Sequence, residues 1–162
     1  MVILGADPGS LRTGWGAIES DGRRDRLIEM GVIVPPPRAP LDVRLRVIHE
    51  GMRALIMRLQ AEVLAVEDVF HAANSRSALV LGHVRGVVLL AGAEAGIPVS
   101  AFAPATVKTM VAGYGRADKP QVAYMVARLL GLESAGTAAD ASDALAVALC
   151  HAHQQAPFAV PR

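Results

Sequence analysis

Apolar and polar positions along the chain predict a group of short strands first and helices mainly afterwards. Apolar runs at 2–7, 13–20 and 26–34 are separated by turn-forming residues, and this pattern is typical of consecutive β-strands. Because the connections between them are short, we expect these three strands to form an antiparallel meander.

After a proline-rich break at 35–40, the spacing of apolar residues becomes helical. Residues 41–60 place their large apolar side chains on one face, whereas 74–96 is apolar nearly all round. We predict two further strands at 62–69 and 97–104, and further helices around 106–111, 121–132 and about 138–151. Strands that are joined through helices are expected to run parallel. The pattern therefore predicts an α/β protein with a mixed five-stranded sheet flanked by helices.

Composition narrows the class of protein. The 162 residues are 52% hydrophobic, which fits one globular domain over 1–162 with a short tail from about 156 to 162. The single cysteine, Cys150, cannot form an internal disulfide, and this suits a reducing cytoplasm. The N-terminus lacks the basic residues of a signal peptide. Because Glu94 and Pro98 soon interrupt the longest apolar run, we expect no membrane-spanning segment and no membrane partner.

The charged residues carry a weaker signal. A net charge of +1 neither favours nor excludes nucleic acid, which would have to meet a local basic patch. Only two of the 16 Lys and Arg residues are lysines, and both, Lys108 and Lys119, fall in one short segment. Function and chance clustering explain this equally well from the count alone.

Four carboxylates indicate the chemistry. Asp7 and Glu67 end two predicted strands, and Asp140 and Asp143 lie three residues apart on one face of the last helix. If that face packs near the strand ends, the four acids converge and need cations to neutralise them. All-oxygen ligands favour Mg²⁺ or Mn²⁺. Two such ions can activate a water and stabilise the leaving oxygen of a phosphodiester.

Each acid also has a simpler interpretation. Asp140 follows Thr137 at the spacing of a capping box, and Asp143 suits a solvated first turn of a helix. Asp7 before Pro-Gly suits an ordinary turn. Asp68, directly after Glu67, is either a loop acid or a competing ligand, and we take Glu67 as the ligand. Only the joint occurrence of the four acids favours a catalytic site.

Three segments carry a resemblance to a known family. They are "ADPGSLRTGWG" at 6–16, "VEDVFHAANSRSALVLGHVRG" at 66–86 and "ADASDALAVALCHAH" at 139–153. Together they resemble the RuvC family of bacterial Holliday junction resolvases. The resemblance implies a ribonuclease-H-like fold and a homodimer that cuts four-way DNA junctions by paired symmetric nicks in recombination and repair. It also implies 5′-phosphate and 3′-hydroxyl products, and RuvA and RuvB as partners.

The resemblance also assigns roles to individual residues. The four acids would be catalytic and would bind two Mg²⁺ ions, with Mn²⁺ as a possible substitute. Lys108 and Lys119 would lie near the scissile phosphate and the DNA backbone, with Lys119 on a mobile loop. Phe70 would stack on a base near the crossover, although core packing is the alternative. The chain departs from the family pattern at Ser142, where alanine is common, and at Asp68, which adds an acid beside Glu67.

The long apolar helix suits the implied dimer. Its small residues recur every fourth position, at Ala78, Gly82 and Gly86, and would allow the backbones of two helices to approach closely. A helix that is apolar nearly all round must be covered on more than one side. A two-fold dimer would present paired active sites to a roughly two-fold junction. Burial of this helix within one chain is the alternative.

Three other functions stay open at this point. One is a YqgF-like nuclease of the same superfamily, against which the segment at 67–78 argues. Another is an actin-like nucleotide-binding module, whose phosphate loop the segment at 7–16 also resembles, although the chain is short for the two domains of that class. The third is a protein that binds DNA junctions without cutting them.

Overall fold

The computed structural model describes residues 1–68, 74–132 and 139–155. These residues form five strands and five helices. The strands are β1 (Val2–Asp7), β2 (Thr13–Ser20), β3 (Asp25–Ile33), β4 (Val63–Glu67) and β5 (Val99–Phe102). The helices are α1 (Leu41–Leu59), α2 (Ser75–Glu94), α3 (Pro104–Ala112), α4 (Lys119–Leu129) and α5 (Ala139–Gln155). The predicted tail from about 156 lies outside the described residues, and the extent of the domain stays a prediction.

The strands pair into one sheet in the order β3-β2-β1-β4-β5. The first three are antiparallel neighbours, whereas β1 and β4, and β4 and β5, are parallel. The predicted mixed sheet is therefore confirmed. In the β1–β4 register Ala6 lies opposite Val66, so the next residues, Asp7 and Glu67, end their strands side by side. This is the edge at which parallel α/β sheets bind ligands.

The backbone of helix α5 lies unusually close to the backbones of β1 and β2 where it crosses one face of the sheet. Gly5 on β1 and Gly14 on β2 permit this, because a Cβ built on either would stand 2.0 Å from a backbone oxygen of α5. Those oxygens belong to Ala144 and Asp140. Two glycines thus bring the first turns of α5 against the strand that ends in Asp7.

The two faces of the sheet are covered by different helices. Alternate strand residues such as Ile3 and Ala65 pack with α3, α4 and α5, and the intervening ones such as Leu4 and Val66 pack with α1 and α2. Asn74 caps α2 by accepting a hydrogen bond from the backbone N–H of Ser77 at 2.9 Å. The helices that carry the candidate site therefore share one face of the sheet.

The expectation that no segment reaches membrane-spanning length is corrected for α2. Within the described parts of the chain, this helix is the one that is long and apolar enough, by length and composition alone, to cross a membrane. The expectation considered only the run before Glu94, whereas the whole helix averages as apolar despite Arg76 and Arg85. One side of α2, including Val84 and Val88, is buried in the core.

Candidate active site

Asp7 and Glu67 lie together in a cavity of about 250 Å³ at the edge of the sheet. Both carboxyl groups belong to the lining of this cavity, where the charge of Asp7 acts on Glu67. The cavity is closed by residues of α3, α4 and α5, namely Pro104, Val107, Lys108, Lys119, Val122, Asp143 and Ala146. Three of the four predicted acids and both lysines therefore line one cavity.

The two strand-end acids hold their protons unusually strongly. Burial, followed by the charge of Asp143, raises the pKa of Asp7 to about 6. Burial, followed by the charge of Asp7, raises the pKa of Glu67 to about 7. Because burial and the charges of neighbouring carboxylates favour the neutral form of both acids, the site is short of positive charge.

Lys119 supplies part of that positive charge. Its Nζ lies 2.6 Å from Oδ2 of Asp143, and this contact, as the largest cause, raises the pKa of Lys119. The Lys119 side chain is nevertheless 74% exposed, so it reaches the site from solvent. A cation at the open mouth of an acidic cavity is well placed to meet an incoming phosphate.

Asp140 is close to the other acids but is not part of the cavity lining. Its charge contributes to the raised pKa of Asp7, yet its Oδ2 accepts a hydrogen bond from Nε of Arg12 at 2.6 Å. Both partners are partly exposed, and such ion pairs are worth about 0–1 kcal/mol. Asp140 can therefore exchange Arg12 for another cation at small cost.

The structure separates the adjacent acids Glu67 and Asp68. Glu67 lines the cavity, whereas the Asp68 carboxylate pairs with the Arg85 guanidinium of α2. Glu67 as the ligand stays a prediction. Neither Arg12 nor Arg85 was identified from sequence, because each pairs with an acid far along the chain and no local pattern marks such a pair.

Lys119 does not lie on a loop, and that expectation is corrected. It is the first residue of α4, directly after the N-cap Asp118. Asp118 and Gln121 form a capping box, in which each side chain accepts a hydrogen bond from the other's backbone N–H, at 2.8 and 2.9 Å. The spacing Asp-Lys-Pro-Gln carries this signal in the sequence, since Pro is also favoured in the first turn.

Two other groups of predicted residues have different outcomes. Phe70 and the cap candidate Thr137 lie outside the described residues. On α2 the three small residues Ala78, Gly82 and Gly86 are exposed, and a Cβ built on either glycine meets nothing within 4 Å. Burial of these three positions within one chain is therefore excluded.

The donor set suits a hard divalent cation in its chemistry. Asp7, Glu67 and Asp143 offer carboxylate oxygens alone, and the raised pKa values of the first two show a deficit of positive charge. With the side chains as they stand, no three His, Cys, Asp or Glu residues of the described ranges form a metal-binding group. Lys119 and Arg12 instead contact the helix acids.

Comparison with known proteins gives a consistent result. The family model "Crossover junction endodeoxyribonuclease RuvC" matches residues 3–151. A protein of that name from Desulforamulus reducens is 45% identical over 98% of this chain and 97% of its own length. Another from Chloroflexus aggregans is 48% identical over 94% and 93%. The structure of Thermus thermophilus RuvC in complex with Holliday junction substrate superposes with a TM-score of 0.89 and 38% identity, covering 95% of this chain and 94% of that one.

Proposed function

The chain belongs to the RuvC family of crossover junction endodeoxyribonucleases, and we propose that it resolves four-way DNA junctions by paired symmetric nicks in recombination and DNA repair. The observation that carries the proposal is the cavity in which Asp7, Glu67 and Asp143 meet Lys108 and Lys119. Membership of this family also argues against the YqgF-like and actin-like alternatives.

The family is divalent-metal-dependent, and we propose that Asp7, Glu67, Asp140 and Asp143 hold two Mg²⁺ ions, which Mn²⁺ can replace. When bound, such ions supply an activated water and neutralise the charge on the leaving oxygen. The sheet contributes rigid placement, because Asp7 and Glu67 extend from paired parallel strands. Hydrolysis would leave a 5′-phosphate and a 3′-hydroxyl.

The two lysines bring the DNA backbone to an acidic site. Lys119 is bound to Asp143 in this structure and is largely exposed, so we propose that it turns to the phosphate when Asp143 takes a metal ligand role. Lys108 lines the same cavity from α3. Contacts of this kind position the backbone without selecting a sequence, and their strength depends on salt concentration. Phe70 keeps its proposed role on a base near the crossover.

We further propose that the protein acts as a homodimer through α2. The exposed side of this helix combines the small residues Ala78, Gly82 and Gly86 with the large apolar residues Leu79 and Leu90, which are 63% and 49% exposed. An apolar face with a small-residue centre suits close contact with a second copy. RuvA and RuvB, as partners, and a cytoplasmic location follow from the family resemblance.

The test is cleavage of an end-labelled synthetic four-way junction, with Mg²⁺ or with chelator, beside linear duplex of the same sequence. We expect symmetric nicks in the junction alone, lost with chelator. Asp7→Asn should lower the cleavage rate by at least about a hundredfold, since removing one catalytic group commonly costs that much. The variant should still bind the junction normally.

Asp21→Asn is the matched control, because Asp21 lies at the exposed turn before β3 and its substitution leaves the cavity intact. Cutting by Asp7→Asn at the wild-type rate would refute the assignment of Asp7. Junction binding without nicks, under every divalent metal tried, would instead favour a junction-recognition protein.

A further inference from the structure

A small polar network surrounds the start of α4, where Lys119 lies. Lys119 begins α4, and its neighbour Asp118 forms the capping box with Gln121. Oε1 of Gln121 accepts the Asp118 N–H at 2.9 Å. The same oxygen accepts the hydroxyl of Tyr114 at 2.5 Å. Two donors on one oxygen fix the Gln121 side chain.

Tyr114 connects this network to the preceding helix. It follows Gly113, which ends α3 with a positive φ of 87°, and its side chain is 47% exposed. Burial therefore accounts for little of what Tyr114 does, and the specific feature is the hydroxyl contact. This hydrogen bond joins the connection between α3 and α4 to the first turn of α4, which carries Lys119.

We propose that Tyr114 is a positioning residue, whose hydroxyl holds Gln121 and Asp118 so that Lys119 stays directed at the active-site cavity. The proposal rests on the proposed function, in which Lys119 meets the scissile phosphate. Lys119 is otherwise a long and exposed side chain with many rotamers. Holding its backbone fixed limits the volume that the ammonium group searches and favours contact with Asp143 and with phosphate.

The first experiment compares Tyr114→Phe with Tyr124→Phe in single-turnover junction cleavage and in junction binding with chelator. Tyr124 lies on α4, the helix that begins at Lys119, is 58% exposed and contacts Arg128 rather than the cap. We expect Tyr114→Phe to lower the cleavage rate about three- to tenfold with affinity changed less than about twofold, and Tyr124→Phe to do neither.

A double-mutant cycle then shows whether Tyr114 acts through Lys119. In a Lys119→Met background, Tyr114→Phe should lower the remaining rate less than about 1.5-fold, because the group that it positions is gone. An equal fold-loss in both backgrounds would overturn the proposal. Normal cleavage by Tyr114→Phe, with weakened junction binding by Tyr114→Ala, would also overturn it and indicate that the ring contacts DNA.

A measurement without DNA separates this proposal from the proposed function. The chain has two lysines, so protein labelled with ¹⁵N-lysine gives two side-chain ammonium signals, which Lys119→Met assigns. The contact with Asp143 should slow hydrogen exchange at Lys119, and Tyr114→Phe should broaden or remove that signal while Lys108 is unchanged. An unchanged Lys119 signal in Tyr114→Phe would overturn the positioning role, even if the wild-type protein cuts junctions as proposed. A lost signal in a protein that cuts no junction would refute only the nuclease.

Discussion

Asp7 is an ionisable residue at a position where burial makes its charged form unfavourable. Its carboxyl is largely buried beside Glu67 and faces the Asp143 charge. A protein selected only for stability would place a neutral residue there, because a buried carboxylate needs a compensating cation. The raised pKa values of this pair are therefore the electrostatic mark of a site prepared to receive positive charge.

The pKa of Asp7 predicts how stability changes with pH in the metal-free protein. It rises from 3.8 to about 6 on folding, so the native state keeps the Asp7 proton to a higher pH than the unfolded state does. Stability from this group is therefore lost as pH rises from about 4 to about 6 and stays lost above that range. Asp7→Asn removes the cost, so at pH 8 in chelator the variant should be on the order of 2 kcal/mol more stable than wild type, and the gain should shrink towards pH 4.

Urea unfolding at several pH values in chelator measures this difference. Asp21→Asn is a control of opposite sign, because the backbone N–H groups of Arg24 and Arg23 lower the pKa of Asp21. That variant should lose stability at neutral pH and approach wild type in acid. A gain for Asp7→Asn that does not depend on pH would contradict a raised pKa as its cause.

At the scale of elements, the sequence predicts what depends on local pattern. All ten elements occur near their predicted positions, and the mixed sheet follows from strands joined by short turns or by helices. The start of α4 differs from the prediction, which begins this helix at residue 121 and places Lys119 on a loop. The Gly-rich segment before it favours a loop, although Asp118 and Gln121 have the spacing of a capping box. Pairs such as Arg12 with Asp140 depend on three-dimensional proximity, which no local pattern encodes.

The close contact between α5 and the sheet explains how the second pair of acids reaches the first. Gly14 lacks a Cβ at the point where the backbone of Asp140 crosses β2. The sequence predicts that these acids share a helix face, but not that the helix lies so near the strands. The distance between the two pairs of acids therefore depends on these glycines as well as on the acids themselves.

Gly14→Ala tests this dependence. The new Cβ would stand 2.0 Å from the carbonyl oxygen of Asp140, so α5 must shift away from β2. We expect a loss of about 1–3 kcal/mol in the free energy of unfolding and, because displacement near 1 Å can cost about a hundredfold, a fall in cleavage of at least tenfold. Urea unfolding and junction cleavage measure the two effects.

Gly51→Ala is the matched control for Gly14→Ala. Gly51 lies on α1, which covers the other face of the sheet, and the three atoms nearest its new Cβ would all belong to the Ile33 side chain, the nearest being Cδ1 at 2.8 Å. It should cost less stability and leave cleavage unchanged. Equal losses of cleavage in both variants would show that general destabilisation, rather than displacement of α5, reduces activity.

At the scale of the whole molecule, the two sides of α2 have different surroundings. Val84, Val88 and Ala91 are buried in the core, whereas the side that carries Gly82 and Leu79 is exposed. An exposed apolar side on a 20-residue helix is the kind of surface that proteins use for association. Two copies joined there would place their active sites in a fixed two-fold relation, as symmetric nicking requires.

Gly82→Arg tests that association without disturbing one chain. A Cβ at Gly82 meets nothing within 4 Å in the same chain, so the variant should fold, and loss of a helical glycine favours the helix by about 0.5–1 kcal/mol. A charged side chain at the centre of an apolar contact should separate the copies, because burying an unpaired charge is strongly unfavourable. Sedimentation should then give a monomer, and paired nicks should become single, slow ones.

Met57→Arg is the matched control for Gly82→Arg. Met57 lies on α1 and is 72% exposed, so the variant adds the same charge to a surface outside the proposed contact and should leave both the dimer and the paired nicks unchanged. A dimer that survives Gly82→Arg, and still cuts both strands together, would place the two-fold contact elsewhere on the chain.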